Sequence, residues 1–187
     1  MKRQKYLMLS AAIVFLSASF SMAGSGESFF VLGTVHYFQP SDEIFKDVYG
    51  SAMIFGGEIG VKVWKGLGLW ASVDVYSKDG TTTFSDEPTE IRIIPISAGV
   101  IYRFMDKRLQ PYLALGIVYF RYRETNNFGK VEGGALGYIV RAGARLKAFG
   151  PLFLDFRASY SAGKPKSTPF EADLGGLRAG FGIGAAF

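Results

Sequence analysis

Residues 173–187 read DLGGLRAGFGIGAAF, and this stretch decides the fold. From Leu177 every second residue is apolar, through Ala179, Phe181, Ile183 and Ala185 to Phe187, while the positions between are Arg178, Gly180, Gly182, Gly184 and Ala186. A repeat of two is the period of a β-strand, because successive side chains leave opposite faces of a sheet. One face suits hydrocarbon and the other is almost bare of side chain. That combination fits the closing strand of a small barrel better than a helix or a sandwich strand. A terminal, largely apolar segment of this kind frays unless it is paired.

Working outward, the same alternation recurs seven more times. Strands are expected at 28–38, 51–63, 69–77, 90–104, 111–124, 135–147 and 152–161, before the closing strand at 177–187. Residues 41–50 (SDEIFKDVYG) are polar and slightly helical and read as a loop, as do 78–89, 125–134 and 163–172, each marked by Gly, Pro or Asn. Between the other strands only short turns fit: Lys65-Gly66-Leu67-Gly68, residues 105–110, and Phe149-Gly150-Pro151. Pro95 lies inside the fourth strand and cannot donate to a ladder, so a bulge or break is expected there. An even strand number, with short turns at one end and longer loops at the other, is the layout of a membrane barrel. The fold class expected is all-β, an eight-stranded antiparallel up-and-down transmembrane barrel.

The amino-terminal residues carry an address. Lys2, Arg3 and Lys5 precede an apolar run over 6–20 and then Ser21-Met22-Ala23, the layout of a secretory signal peptide. A membrane-anchoring helix is the competing reading, but the run is shorter than the ~20 residues a span needs. The expected division is a signal peptide over 1–23 and a barrel domain over 24–187. Cleavage removes three bases and no acid, so the formal charge falls from +5 to +2 and a nucleic-acid partner is not indicated. Cysteine is absent, which excludes disulfides and thiolate metal sites. With one histidine and scattered carboxylates there is no metal-ligand spacing, and no cofactor is expected.

Alternation alone fits a soluble lipocalin-like barrel as well as a membrane barrel. A soluble barrel needs a densely charged outer face. Here the polar parity is dominated by Gly, Ser and Ala, with isolated charges at Glu58, Lys62, Asp74, Arg103, Arg141, Arg145, Asp155, Arg157 and Arg178. Such a face suits a narrow interior that side chains just fill. These nine residues are expected to form a luminal polar network. Ions in such an interior need partners. An ion path is one reading of the network; a hydrogen-bonded plug is favoured, because eight strands leave room for little besides side chains. Aromatic girdles are expected from Tyr102, Phe104, Phe149 and Phe187 at the turn side and from Phe55, Tyr119, Tyr138 and Tyr160 nearer the loops. Trp64 and Trp70 both fall on the luminal parity; either the register shifts there or they cap the mouth.

The terminal strand, GGEIGVKVWKGLGLWAS (56–72), RIIPISAGVIYRF (92–104) and QPYLALGIVYFRY (110–122) resemble the outer-membrane protein β-barrel domain family, the broad group of OmpA/OmpX-type and opacity-like eight-stranded barrels. The resemblance implies a monomer in the outer membrane of a Gram-negative-type bacterium, in contact with lipid and lipopolysaccharide. It also implies that Phe187 serves as the assembly signal read by the barrel insertion machinery. It is poor for function, because members serve as anchors, adhesins, defence factors and narrow pores. A non-enzymatic structural or surface-interaction role is expected; the alternative is a narrow pore or conduit for small solutes or apolar molecules, as an OmpW-like barrel suggests.

Some outer-membrane barrels modify lipids with a His, Ser and carboxylate. His36 stands near Ser41, Asp42 and Glu43, but no acyltransferase or deacylase pattern surrounds it, and an interfacial histidine is the simpler reading. Lys164, Lys166, Lys130, Arg121 and Arg123 gather on the loop side, where either lipopolysaccharide phosphates or plain solvation accounts for them.

Overall fold

The computed structural model describes residues 28–81, 88–126, 129–164 and 173–187. The expected signal peptide lies outside them, as do half of the loop expected at 78–89 and most of that expected at 163–172. Eight strands form one closed antiparallel barrel in sequence order: β1 Phe29–Pro40, β2 Ala52–Trp64, β3 Leu67–Thr81, β4 Pro88–Arg103, β5 Leu109–Asn126, β6 Gly129–Lys147, β7 Leu152–Ala162 and β8 Gly176–Ala186. The glycine-spaced stretch is indeed the closing strand. It pairs with β7 from Leu152↔Ala185 to Ser161↔Gly176 and with β1 from Phe30↔Ala186 to Pro40↔Gly176. The seam is finished by the Ser28 and Phe29 amides, which donate to the Phe187 carbonyl at 2.6 and 3.0 Å. No sheet edge remains.

Alternation sorts the side chains radially. Outside stand Phe55, Ile59, Leu69, Val73, Leu113, Leu115, Ile117, Leu136, Phe181 and Ile183, all exposed. A continuous apolar belt of this size is untenable in water and is what hydrocarbon requires. Aromatic residues rim it: Tyr102, Phe104 and Phe149 at the turn end, Phe55, Tyr119, Tyr138 and Tyr160 nearer the loops, all exposed, with Phe187 half-buried at the seam. No helix among the described residues is long and apolar enough to cross a membrane.

Two sequence expectations change and a third narrows. Residues 43–49 form a short helix, α1 (Glu43–Tyr49), capped by the Asp42 carboxylate, which accepts from the Phe45 amide at 3.1 Å. Seven residues are too few for a helix to hold itself; packing of Phe45 and Tyr49 supplies the rest. Secondly, the loop expected at 125–134 is largely strand, as are the described residues of the one expected at 78–89. β3 runs on to Thr81 and β4 starts at Pro88, while β5 and β6 keep register as far as Asn126↔Gly129. Gly, Asn and charge punctuate a strand inside a membrane, but beyond it both faces meet water and the ladder continues. At 18 and 19 residues, β5 and β6 exceed the roughly 9–11 residues needed to cross. Finally, of the bulge or break expected at Pro95 the structure has the break: β3 and β4 pair at Val73↔Ile96 and again at Tyr76↔Ile93, with a gap between and no bulge, the register being unchanged.

Candidate functional site

The lumen is where the charged residues meet. Eight of the nine expected network residues are buried there: Glu58, Asp74, Arg103, Arg141, Arg145, Asp155, Arg157 and Arg178. Lys62 is the exception. It lies two residues from the end of β2, and its ammonium is at the rim, 3.6 Å from Asp106 in the β4–β5 turn. Asp106 also accepts from Lys147 at 3.1 Å and from Gln110 Nε2 at 2.8 Å. The Lys147 hydrogen bond, followed by the charges of Lys147 and Lys62, holds the Asp106 carboxyl below its ordinary range.

Glu58 is the hub of the middle layer. One of its oxygens, Oε2, accepts from Arg141 Nη1 and from Arg157 Nη1, the latter at 2.6 Å. Arg157 Nε donates in turn to Asp155 Oδ1 at 2.5 Å, and the Tyr112 hydroxyl donates to the same oxygen at 2.9 Å. A second pair lies nearer the loops, where Arg178 donates to Asp74 at 3.0 Å and to Ser161 Oγ at 3.3 Å. The buried described residues thus contain five arginines and three carboxylates.

Aromatic faces take up the excess of cations. Arg141 lies 4.1 Å from the Trp70 ring and Arg178 5.6 Å from that of Phe38. Arg145 sits between two rings, Phe30 at 4.2 Å and Phe153 at 3.9 Å. A guanidinium is planar and weakly hydrated, which makes it the cation best suited to such stacking. These rings need space, and the glycines give it. A Cβ on Gly184 would stand 2.5 Å from the Phe153 ring, and one on Gly116 would stand 2.9 Å from Trp70.

The two tryptophans separate. A register shift between Lys62 and Trp64 turns Trp64 outward, 66% exposed, whereas Trp70 stays inside at 3% and donates from Nε1 to the Val100 carbonyl at 3.2 Å. His36 is not interfacial. β1 places it in the lumen between Ile54 and Gly180 in register, 5% exposed, where no lipid ester reaches it. Parity alone could have found Tyr112, which shares a face with Ala114 and Gly116. No sequence signal showed that its hydroxyl would meet Asp155.

Above the ions the interior turns apolar, with Ile91, Ile93, Val118, Phe120 and Tyr122 buried. Helix α1 closes this end on the β1–β3 side. Phe45 packs on Tyr49 and Tyr76, with ring centroids at 5.0 and 6.0 Å, and Phe38 meets Tyr76 at 5.5 Å. The helix is tied across the mouth: Asp42 Oδ2 accepts from the Asp173 amide at 3.1 Å, while Asp173 Oδ1 accepts from the Gly163 and Gly175 amides. Of the bases expected on the loop side, Arg121, Arg123 and Lys164 are exposed, Lys130 lies in β6 and Lys166 falls outside the described residues.

No family model matches the chain, and no curated protein matches it by sequence. Solved structures do match. Neisserial surface protein A has 18% identity over 85% of this chain and 97% of its own, with a TM-score of 0.66. The Pseudomonas aeruginosa outer membrane protein OprG has 13% identity over 88% and 98%, at 0.63. The Yersinia pestis attachment invasion locus protein Ail, in complex with the heparin analogue sucrose octasulfate, has 14% identity over 85% and 99%, at 0.57. With its apolar exterior, ionic interior and closed ring of eight strands, this chain has the fold of the small outer-membrane β-barrels.

Proposed function

We infer that the protein is a non-enzymatic, monomeric outer-membrane barrel of a Gram-negative-type bacterium, with a structural or surface-interaction role. The observation that carries this is the filled lumen: Glu58 bridging Arg141 and Arg157 in the middle, Arg145 between Phe30 and Phe153 at the turn end, and α1 across the loop end. Short turns at one end and long strand extensions at the other favour the loop end as the outer one. Export by a signal peptide over 1–23 and recognition of Phe187 by the insertion machinery belong to the same reading. His36 is buried and flanked in register by Ile54 and Gly180, neither of which carries a nucleophile. The fold shared with Ail, an attachment protein by name, supports a role at the surface.

The test is a flux assay with the refolded chain in liposomes, alongside planar-bilayer recording. Protein-dependent leakage of small ions should be absent; a steady, large conductance would overturn the plug. A second reading, a conduit for small apolar molecules, draws on the apolar loop-end half of the lumen. Faster uptake of an uncharged apolar dye into these liposomes than into protein-free ones favours it.

A further inference from the structure

We propose that Arg92, Arg121 and Arg123 form a binding site for the phosphate groups of lipid A on the outer wall of the barrel, at the level where the membrane ends. This rests on the outer-membrane reading above. Followed toward the loops, the outward face of β5 runs Ile117, Tyr119, Arg121, Arg123, so one line of side chains passes from aliphatic to aromatic to cationic. The strands beside it change at the same height. On β4 exposed Ile96 gives way to half-buried Ile94 and then exposed Arg92; on β6 exposed Leu136 gives way to Gly134 and then Glu132. Tyr119 leans over Gly134, with its hydroxyl directed where a Cβ would be. A tyrosine whose ring is in the belt and whose hydroxyl is at its rim marks the headgroup boundary. The arginines stand immediately beyond it.

Their arrangement is unfavourable without an anion. Arg92 is directly opposite Arg123 across β4 and β5, and like charges in that position destabilise a sheet. Only one described carboxylate answers them: Glu132, opposite Arg123, with its oxygen 2.6 Å from Arg123 Nε. Among the described residues no carboxylate pairs with Arg92 or Arg121. Glu90 is in register with Thr125, one step further from the membrane. Three arginines whose Cβ atoms are set about 5–8 Å apart, as cross-strand and diagonal neighbours are, can bring their guanidinium groups onto one phosphate monoester, whose several oxygens accept from two forks at once. In the outer leaflet of an outer membrane that monoester is carried by lipid A. The side chains point away from the barrel on the lipid-facing parity, so the ligand arrives as a neighbouring lipid and not through the lumen.

The experiment uses the full mature chain, refolded in detergent and exposed either to bisphosphorylated lipid A or to the same lipid stripped of phosphate; lipid retained after washing is measured. Retention should be specific to the phosphorylated form, should fall at least about tenfold in Arg92→Gln/Arg121→Gln/Arg123→Gln, and should rise in Glu132→Gln, which frees Arg123. A turn-end control, Lys65→Gln/Lys107→Gln/Arg108→Gln, should retain lipid A like the parent. Equal retention of both lipids, an unchanged triple variant, or weaker retention in Glu132→Gln each overturns the site. Folding is followed separately by heat-modifiable gel mobility. A parent chain that never reaches the folded band in bilayers would sink the outer-membrane reading itself, whereas a folded parent that ignores lipid A sinks this site alone.

Discussion

Arg145 and Asp155 are direct partners across β6 and β7, yet the Asp155 carboxylate is taken by Arg157 and Tyr112 through Oδ1, while Oδ2 of Asp155 and Nε and Nη1 of Arg145 make no hydrogen bond. The interior therefore holds two kinds of arginine. Arg141 and Arg157 are held by a carboxylate; Arg145 is held by two rings. Their substitutions should behave differently.

Removing the hub should be severe. Glu58→Gln leaves Arg141 and Arg157 facing each other in a buried space, and losing one member of such a group costs about 3–5 kcal/mol. Urea unfolding of the micelle-bound barrel, followed by the heat-modifiable band, measures it; a loss below about 1 kcal/mol would place the pair in effective contact with water.

Arg145→Met should be tolerated. Methionine keeps the length of the side chain and makes favourable contacts with ring edges, and because Arg145 Nε and Nη1 make no hydrogen bond, the change removes a costly buried charge without breaking a hydrogen-bonded ion pair. The same unfolding assay decides. A marked destabilisation would show that Asp155 depends on Arg145 in spite of its bond to Arg157.

Trp64 and Trp70 should report on opposite sides of the wall. In vesicles of lipid brominated along the acyl chain, a Trp70→Phe variant, which retains only Trp64, should be strongly quenched. A Trp64→Phe variant, which retains only Trp70, should be nearly insensitive. Quenching of both to the same degree would contradict the register shift beside Lys62.

The turn end should lose stability on acidification through Asp106. Its folded pKa is lowered, chiefly by the hydrogen bond to Lys147, so its contribution is complete above the ordinary carboxylate value of about 4 and disappears as pH falls through the depressed folded value. The carboxylate is largely exposed, so solvent screening limits the effect to less than about 1 kcal/mol. Comparing the parent with Asp106→Asn from neutral to acid pH should give a gap that closes on acidification; a gap that widens would contradict the assignment.

How much of this was legible depended on what parity encodes. It told inside from outside at nearly every position of the crossing segments, because a strand has only two faces. Glu58, Asp74, Asp155 and the arginines could accordingly be assigned to the lumen. Parity carries no height, so it could not say that Glu58 of β2 meets Arg141 of β6 and Arg157 of β7, a relation set by the stagger of the whole barrel. It also failed where the chain stops alternating. The shift beside Lys62 moved Trp64 outward, and α1 owes its existence to Tyr76 on another element. The extensions of β3 to β6 were hidden because strand outside a membrane has no apolar face to advertise.

The hydrogen-bonded seam between β1 and β8 joins the strands most distant from each other along the chain. Contacts of that range form late, since the loop they close is the most costly in entropy. Until they form, both strands offer an open edge on which other chains can add. An open edge at β1 or β8 is thus the last exposed template in the folding of this molecule, and a chaperoning agent that shelters those two edges guards the step that closes the ring.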